Sequence, residues 1–186
     1  MNKNIIQSRN TRGIFQSERY LVVHDFLETK VLYEYSKHLS RKSPLGDGQV
    51  PDTPFAYCDP VMEEILIIVL PKVEDLVGLE LYKTYSYWRM YKIGDTLRIH
   101  KDRRACEISV TMTIGYDGPR PWPIYILDKI GKPVRIDLNA GDILVYKGAE
   151  RYHWREFNNF GTQAQVFLHY VDKNGRYSEW KDDKRK

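Results

Sequence analysis

The stretch "LRIHKDRRACEISVTMTIGYD", Leu97 to Asp117, decides how the rest of the chain is read. Apolar and polar residues alternate from Ile108 to Ile114, the period-two pattern of a β-strand. Ahead of it, His100 and Asp102 stand two apart. On a strand, side chains at i and i+2 point to one face, so an imidazole and a carboxylate could converge on one small object. Downstream the same texture repeats in "WPIYIL", "PVRIDL", "DILVYKG", "YHWREF" and "TQAQVFLHYV". Turn residues separate these runs at Gly94-Asp95, Asp117-Gly118-Pro119, Gly131-Lys132-Pro133, Gly141-Asp142, Asn158-Asn159 and Asn174-Gly175. With "LYKTYSYWRMY" before them, they make about eight short strands, the signature of a sandwich or jelly roll.

Working back toward the N-terminus, the pattern changes. Residues 1–17 read as a polar lead-in. "RYLVVHDFL" from Arg19 begins as a strand, and Val31, Leu32, Tyr35 and Leu39 fall at helical spacing. "SPLGDGQVPDTPFAYCDP", Ser43 to Pro60, is rich in turn formers and reads as a loop. "VMEEILIIVLPKVEDLVG" reads as helical on both sides of Pro71, ending at Gly78. The expected class is α+β, mainly β: a double-stranded β-helix, or jelly roll, with N-terminal helices packed against one sheet. The expected organisation is one domain over 1–186, with helical support at 18–80, the jelly-roll core at 81–173 and a solvated tail at 174–186.

Composition bounds the function. The 186 residues carry a formal charge of +4, too mild to indicate nucleic-acid binding. Cys58 and Cys106 make no disulfide framework. The longest apolar run, Ile65 to Leu70, falls short of the roughly 18 residues a membrane span needs. The polar start "MNKNIIQSRNTRG" carries no signal-peptide core. The expectation is an intracellular, cytoplasmic protein with no membrane partner.

His153 stands 51 residues beyond Asp102, room for about four strands that could return it beside the first pair. Two imidazoles and one carboxylate on one face of an ion form the facial triad of non-haem Fe(II) oxygenases, which keeps coordination positions open. His100, Asp102 and His153 are therefore the candidate metal-ligating and catalytic residues.

In order, the chain presents Tyr91, Gly94-Asp95, His100-Lys101-Asp102, "SVTMTIGYD", "AGDILVY", His153 and "QAQVFLHYV". From about Tyr82 to Asp172 it resembles the Fe(II)- and 2-oxoglutarate-dependent dioxygenases, in particular their prolyl-4-hydroxylase-like branch. The resemblance implies Fe(II) as cofactor, 2-oxoglutarate and dioxygen as co-substrates, and ascorbate as an accessory candidate. It also implies hydroxylation of a C–H bond with release of succinate and CO2. A carboxylate at Asp102 favours hydroxylation over halogenation, for which relatives carry a small residue there. Family members usually open the last strand with an Arg or Lys, nine or ten residues after the distal histidine, for the far carboxylate of 2-oxoglutarate. Here those positions are Thr162 and Gln163. Arg155 is the leading replacement, since it shares the strand face of His153 and has a planar fork that fits a carboxylate. Arg104 and Lys147 are weaker candidates, and Tyr91, Gln163 and Gln165 could add hydrogen bonds. His169, on the same strand face as Gln165, could line the cavity, but reads first as a buried, hydrogen-bonded histidine rather than a ligand.

The branch implies a protein or peptide side chain as substrate, and the rings of Tyr85, Tyr87, Trp88, Trp122 and Trp154 could hold an extended peptide or stack on a proline ring. A nucleobase or a small metabolite is an alternative within the superfamily. A cupin-like protein that binds metal or ligand without oxygenase turnover is the alternative outside it.

Overall fold

The computed structural model describes residues 8–184. The chain runs α1 (Ser8–Glu18), β1 (Tyr20–Val23), α2 (Lys30–Ser40), β2 (Phe55–Tyr57) and α3 (Pro60–Val77). The β body follows: β3 (Leu81–Tyr91), β4 (Leu97–His100), β5 (Ile108–Tyr116), β6 (Ile124–Leu127), β7 (Pro133–Ile136), β8 (Ile143–Tyr146), β9 (His153–Arg155) and β10 (Gln163–Asp172). Two antiparallel sheets result, one ordered β1-β8-β5-β10-β3-β2 and the other β4-β9-β6-β7. This is the expected mainly-β jelly roll with helices against one sheet.

The faces of the larger sheet follow from strand alternation. Ile108, Val110, Met112 and Ile114 of β5 join Ala164, Val166, Leu168 and Tyr170 of β10 in the core beneath the helices. The residues between them face into the jelly roll. On β5 these are Ser109, Thr111 and Thr113, all fully buried. A row of buried hydroxyls needs partners, and that row becomes one wall of the site described below.

Helix α3 supplies much of the covering layer. Asp59 caps it, accepting from the N–H groups of Val61 at 3.1 Å and Met62 at 3.2 Å, with Pro60 at its first turn. Gly78 ends it in the left-handed region at φ 71°. Met62, Leu66, Val69, Val73 and Val77 are buried at three- and four-residue steps and form the stripe against the sheet. The helix is continuous through Pro71, which is exposed. Water there can take the Ile67 carbonyl that the missing N–H would have bonded.

Three expectations change. Residues 8–17 of the expected polar lead-in, with Glu18, form α1, whose Phe15 is fully buried in the helix-side core; residues 1–7 lie outside the described residues. The loop over 43–60 contains a short strand, β2, because Phe55 to Tyr57 pairs with Tyr87 to Arg89. The tail is not simply solvated. Residues Ser178–Lys184 form tight turns broken by a kink at Lys181, and Asp183 accepts hydrogen bonds from both terminal nitrogens of Arg103, at 2.7 and 2.6 Å. Both cysteines are free thiols. Among the described residues, no helix is long and apolar enough to cross a membrane.

The Asp59 cap also accepts the Tyr35 hydroxyl of α2 at 2.8 Å, tying two helices at one carboxylate. Asp59→Ala should therefore lower stability by about 1–2 kcal/mol, read as a lower urea midpoint at unchanged slope.

Candidate metal centre and its cavity

Strand β4 pairs with β9 through Leu97↔Arg155 and His100↔His153, with a register irregularity between the two pairs. That pairing stands His100 beside His153, ring centroids 4.2 Å apart. Asp102 arrives differently from the expectation. β4 ends at His100, so strand alternation does not aim the carboxylate. It lies just beyond, with its N–H donating to the Gly148 carbonyl at 2.9 Å.

The three side chains meet. Asp102 Oδ1 lies 3.5 Å from His100 Nε2 and 3.4 Å from His153 Nε2. Neighbouring ligands around an octahedral ion with bonds of about 2.1 Å are about 3 Å apart, so a small shift would close the set on a metal. The nitrogens face the right way. His100 Nδ1 lies 2.8 Å from the Arg98 carbonyl and His153 Nδ1 3.1 Å from the Arg151 carbonyl. Carbonyls accept, so each Nδ1 carries the proton and each Nε2 keeps its lone pair for a metal.

Asp102 is oriented from behind. Ser109 Oγ donates to its Oδ2 at 2.9 Å. With that proton committed, His169 Nδ1–H donates to Ser109 Oγ at 3.0 Å. Gly148 makes the space: a Cβ there would meet Asp102 Oδ2 at 2.3 Å, Ser109 Oγ at 2.4 Å and the Cys106 carbonyl at 2.6 Å. Burial works against charge on Asp102, but His153 and His100 outweigh it and hold the carboxyl well below its usual range. Burial likewise opposes a proton on His100, and its bonds to Asp102 and the Arg98 carbonyl prevail, raising its pKa. For His169 burial outweighs the opposing pull of the Asp102 charge and pushes it down to about 4. It stays a neutral imidazole, its ring tilted by 40° against Tyr85 at 4.6 Å between centroids, and it lines the cavity described below. Asp102, Cys106 and His169 also have ligand atoms within 4.8 Å of one another, a group that shares its carboxylate with the first.

Arg155 lies on β9 with 1% exposure. Its Nη1 donates to the Trp122 carbonyl. Nε and Nη2 are buried without an acceptor, as is the Tyr91 hydroxyl. Among the described residues no carboxylate pairs with Arg155, and burial draws its pKa down to about 10. A buried guanidinium with two idle nitrogens beside an idle phenol has donors that an anion could satisfy, although of the two only Tyr91 lines the cavity described below. The 2-oxoglutarate carboxylate expected from the sequence fits that donor set. Gln163 shares the Trp122 carbonyl at 3.4 Å and donates to Gln165 Oε1 at 3.1 Å. Gln165 donates in turn to Thr111 at 2.6 Å. Both amides are thus spent on a network behind Arg155. Arg104 is exposed and Lys147 pairs with Glu150 at 3.7 Å, so neither shares this arrangement.

A cavity of about 290 Å3 opens on the three ligands, and Tyr85, Tyr87, Tyr91, Tyr146 and Phe167 line it. Of the five aromatics expected around the substrate, Tyr85 and Tyr87 line it. Trp88 points to the helices and donates to Ser36 at 3.1 Å. Trp122 packs at Arg155, and Trp154 stacks on Tyr125 at 5.4 Å. The parity of β3 and β9 turns Trp88 and Trp154 away from the faces that carry Tyr87 and His153. Sequence reasoning missed Ser109, Gly148, Tyr146, Asp47 and Arg89. Alternating hydroxyls in "ISVTMTI" signal Ser109; no local pattern signals the others.

Gly148→Ala should weaken Fe(II) or Co(II) binding by about 10- to 100-fold, measured by metal titration with circular dichroism as the control for folding.

No family model matches the chain, and no curated protein matches it. Solved structures do match in fold. A prolyl hydroxylase from Trichoplax adhaerens, in complex with a hypoxia inducible factor peptide fragment, is 11% identical with a TM-score of 0.75, covering 96% of this chain and 93% of that one. HygX from Streptomyces hygroscopicus, with nickel, 2-oxoglutarate and hygromycin B bound, is 14% identical with a TM-score of 0.71, covering 89% and 88%. A member of the 2OG-Fe(II) oxygenase family from Burkholderia pseudomallei is 15% identical with a TM-score of 0.69, covering 92% and 93%. At such identities what is shared is the architecture: this chain has the fold of the Fe(II)- and 2-oxoglutarate-dependent oxygenases, prolyl hydroxylases among them.

Proposed function

We propose that the protein is a non-haem Fe(II)- and 2-oxoglutarate-dependent dioxygenase that hydroxylates a C–H bond and releases succinate and CO2. The observation that carries this is the convergence of His100, Asp102 and His153 with both Nε2 lone pairs and one carboxylate oxygen facing a common point. Iron, 2-oxoglutarate and dioxygen supply the oxidising chemistry; the protein supplies placement and charge.

His100, Asp102 and His153 would hold the iron and, as three protein ligands, would leave room on it for co-substrate and dioxygen. The backbone carbonyls behind both imidazoles hold the rings in register, and Ser109 holds the carboxylate. Arg155 and the Tyr91 hydroxyl take the far carboxylate of 2-oxoglutarate. Satisfying their idle donors removes a desolvation cost that the free protein carries, so co-substrate binding should also stabilise the fold. The Tyr146 hydroxyl, 3.4 Å from His153 Nε2, lines the cavity beside the candidate ligands. Tyr85, Tyr87 and Phe167 offer an apolar wall that keeps water from the reacting carbon. The branch it resembles points to a peptide side chain, and HygX, with hygromycin B bound, shows a non-peptide ligand on the same architecture.

Anaerobic protein with Fe(II) and 2-oxoglutarate should develop a weak metal-to-ligand absorption band in the visible, and air should then yield succinate. Asp102→Ala should lose both. Metal binding with neither band nor succinate would instead support a cupin-like ligand-binding protein. Arg155→Gln should raise the 2-oxoglutarate concentration for half-maximal band intensity about 10- to 100-fold. An unchanged requirement would remove Arg155 from that role.

A further inference from the structure

On the sheet wall of the cavity one residue breaks the aromatic pattern. Arg89 lines the space beside Tyr87 and Phe167, and its side chain is 2% exposed. Its Nη2 donates to Asp47 Oδ2 and lies 3.3 Å from the Tyr87 hydroxyl. Its Nε is buried with no acceptor at all. The guanidinium sits 5.3 Å from the Tyr87 ring and 5.4 Å from the Tyr91 ring, which hold its plane.

Asp47, in contrast, is saturated. Its Oδ1 accepts the N–H groups of Gln49 and Val50 at 2.8 and 2.9 Å. Its Oδ2 accepts the Tyr87 hydroxyl at 2.6 Å as well as Arg89. An ionised carboxylate has about four acceptor sites, and four donors occupy them. The pair therefore has no acceptor to offer a ligand cation but still has a donor to offer an anion. The loop carrying Asp47 is itself fixed, because Val50 is buried against Tyr91, Leu97 and Trp122 and Thr53 donates to Asp95 at 2.9 Å.

Size narrows the ligand. A cavity of about 290 Å3 is at the lower end of ligand pockets, which run about 300–1,000 Å3, and this one must also admit the co-substrate. We propose that Arg89 anchors the substrate, and that the substrate is a small carboxylic acid such as a free amino acid, rather than a residue inside a polypeptide. Its carboxylate meets the edge of Arg89 that Asp47 leaves free. Its hydrocarbon part lies against Tyr85, Tyr87 and Phe167, facing the metal ligands. Asp47 holds the guanidinium in place and tempers its charge. Arg155, fixed by the Trp122 carbonyl, keeps the separate task of receiving 2-oxoglutarate. This assignment rests on the oxygenase function proposed above.

The test uses the full chain with Fe(II), 2-oxoglutarate and air, reading succinate without addition and with a panel of free L-amino acids and their carboxamides. At least one acid should stimulate release above the unprompted rate, and its carboxamide should not. Arg89→Gln should raise the KM for that acid by about tenfold or more while the KM for 2-oxoglutarate stays put. Asp47→Asn should move the acid's KM the other way, since it unmasks the cation. A merely structural ion pair would send both variants in one direction. Should Arg89→Gln fail to fold, the acid-against-carboxamide comparison and Asp47→Asn still decide. The assignment is overturned if succinate is released unprompted but no acid stimulates it, if acid and carboxamide act alike, or if Arg89→Gln raises the KM for 2-oxoglutarate instead. Absence of both succinate and the visible band would overturn the oxygenase function itself, and this assignment with it.

Discussion

The pairing of β4 with β9 is the constraint on which the site depends. His100 opposite His153 across two short antiparallel strands is what brings residues distant in the chain within bonding distance of one ion. The pairing is only a few residues long, and its register irregularity sits next to the histidines. Irregularities of that kind re-aim side chains without ending the sheet. Asp102 needs a second device, because the strand has already ended. Its backbone is tied to Gly148 and its carboxylate to Ser109. The candidate metal centre is thus assembled from the small sheet, the loop beyond it and one hydroxyl of the large sheet. Those parts cannot separate without opening the centre.

The large sheet serves two solvents at once. One face meets α1 and α3 through aliphatic side chains, which secures burial. The other carries Ser109, Thr111, Thr113, Gln163, Gln165 and His169, all buried and polar. Such a face would be costly in a plain core. It is tolerated because the groups satisfy one another, as in the chain from Gln163 through Gln165 to Thr111. A satisfied polar wall is stiff, and stiffness behind a metal ligand preserves its aim.

Two arginines stand out against this economy. Nearly every buried polar group on the inner face has its partner, yet Arg89 and Arg155 retain idle nitrogens, and the Tyr91 ring lies within 5.8 Å of both guanidinium groups. Cations kept incompletely paired in a low dielectric attract anions strongly once these arrive. Of the two, Arg89 lines the cavity beside Tyr91, while Arg155 lies behind that ring and outside the lining.

Much of this was legible along the chain. Period-two alternation in "ISVTMTI" and "QAQVFLHYV" marks strands and even their two faces, because side-chain direction in a strand is a local property. The Asp59-Pro60 start and Gly78 stop of α3 are equally local. His100, Asp102 and His153 could be nominated from residue type and order, and Arg155 from its two-residue offset. Other features were not legible. Residues 8–18 look polar in isolation and become a helix because Phe15 finds a core to enter. Trp88 turned to the helices, and the tail engaged Arg103. The sequence by itself determined strand, turn and cap, and which side chains could bind a metal, since these follow from local sterics and donor chemistry. Only the tertiary structure decided that Asp102 is aimed from a loop, that Gly148 clears its seat and that Asp47 saturates itself on Arg89 while leaving one nitrogen idle. Those facts depend on register and on contacts between residues distant in the chain, and no short-range pattern encodes them.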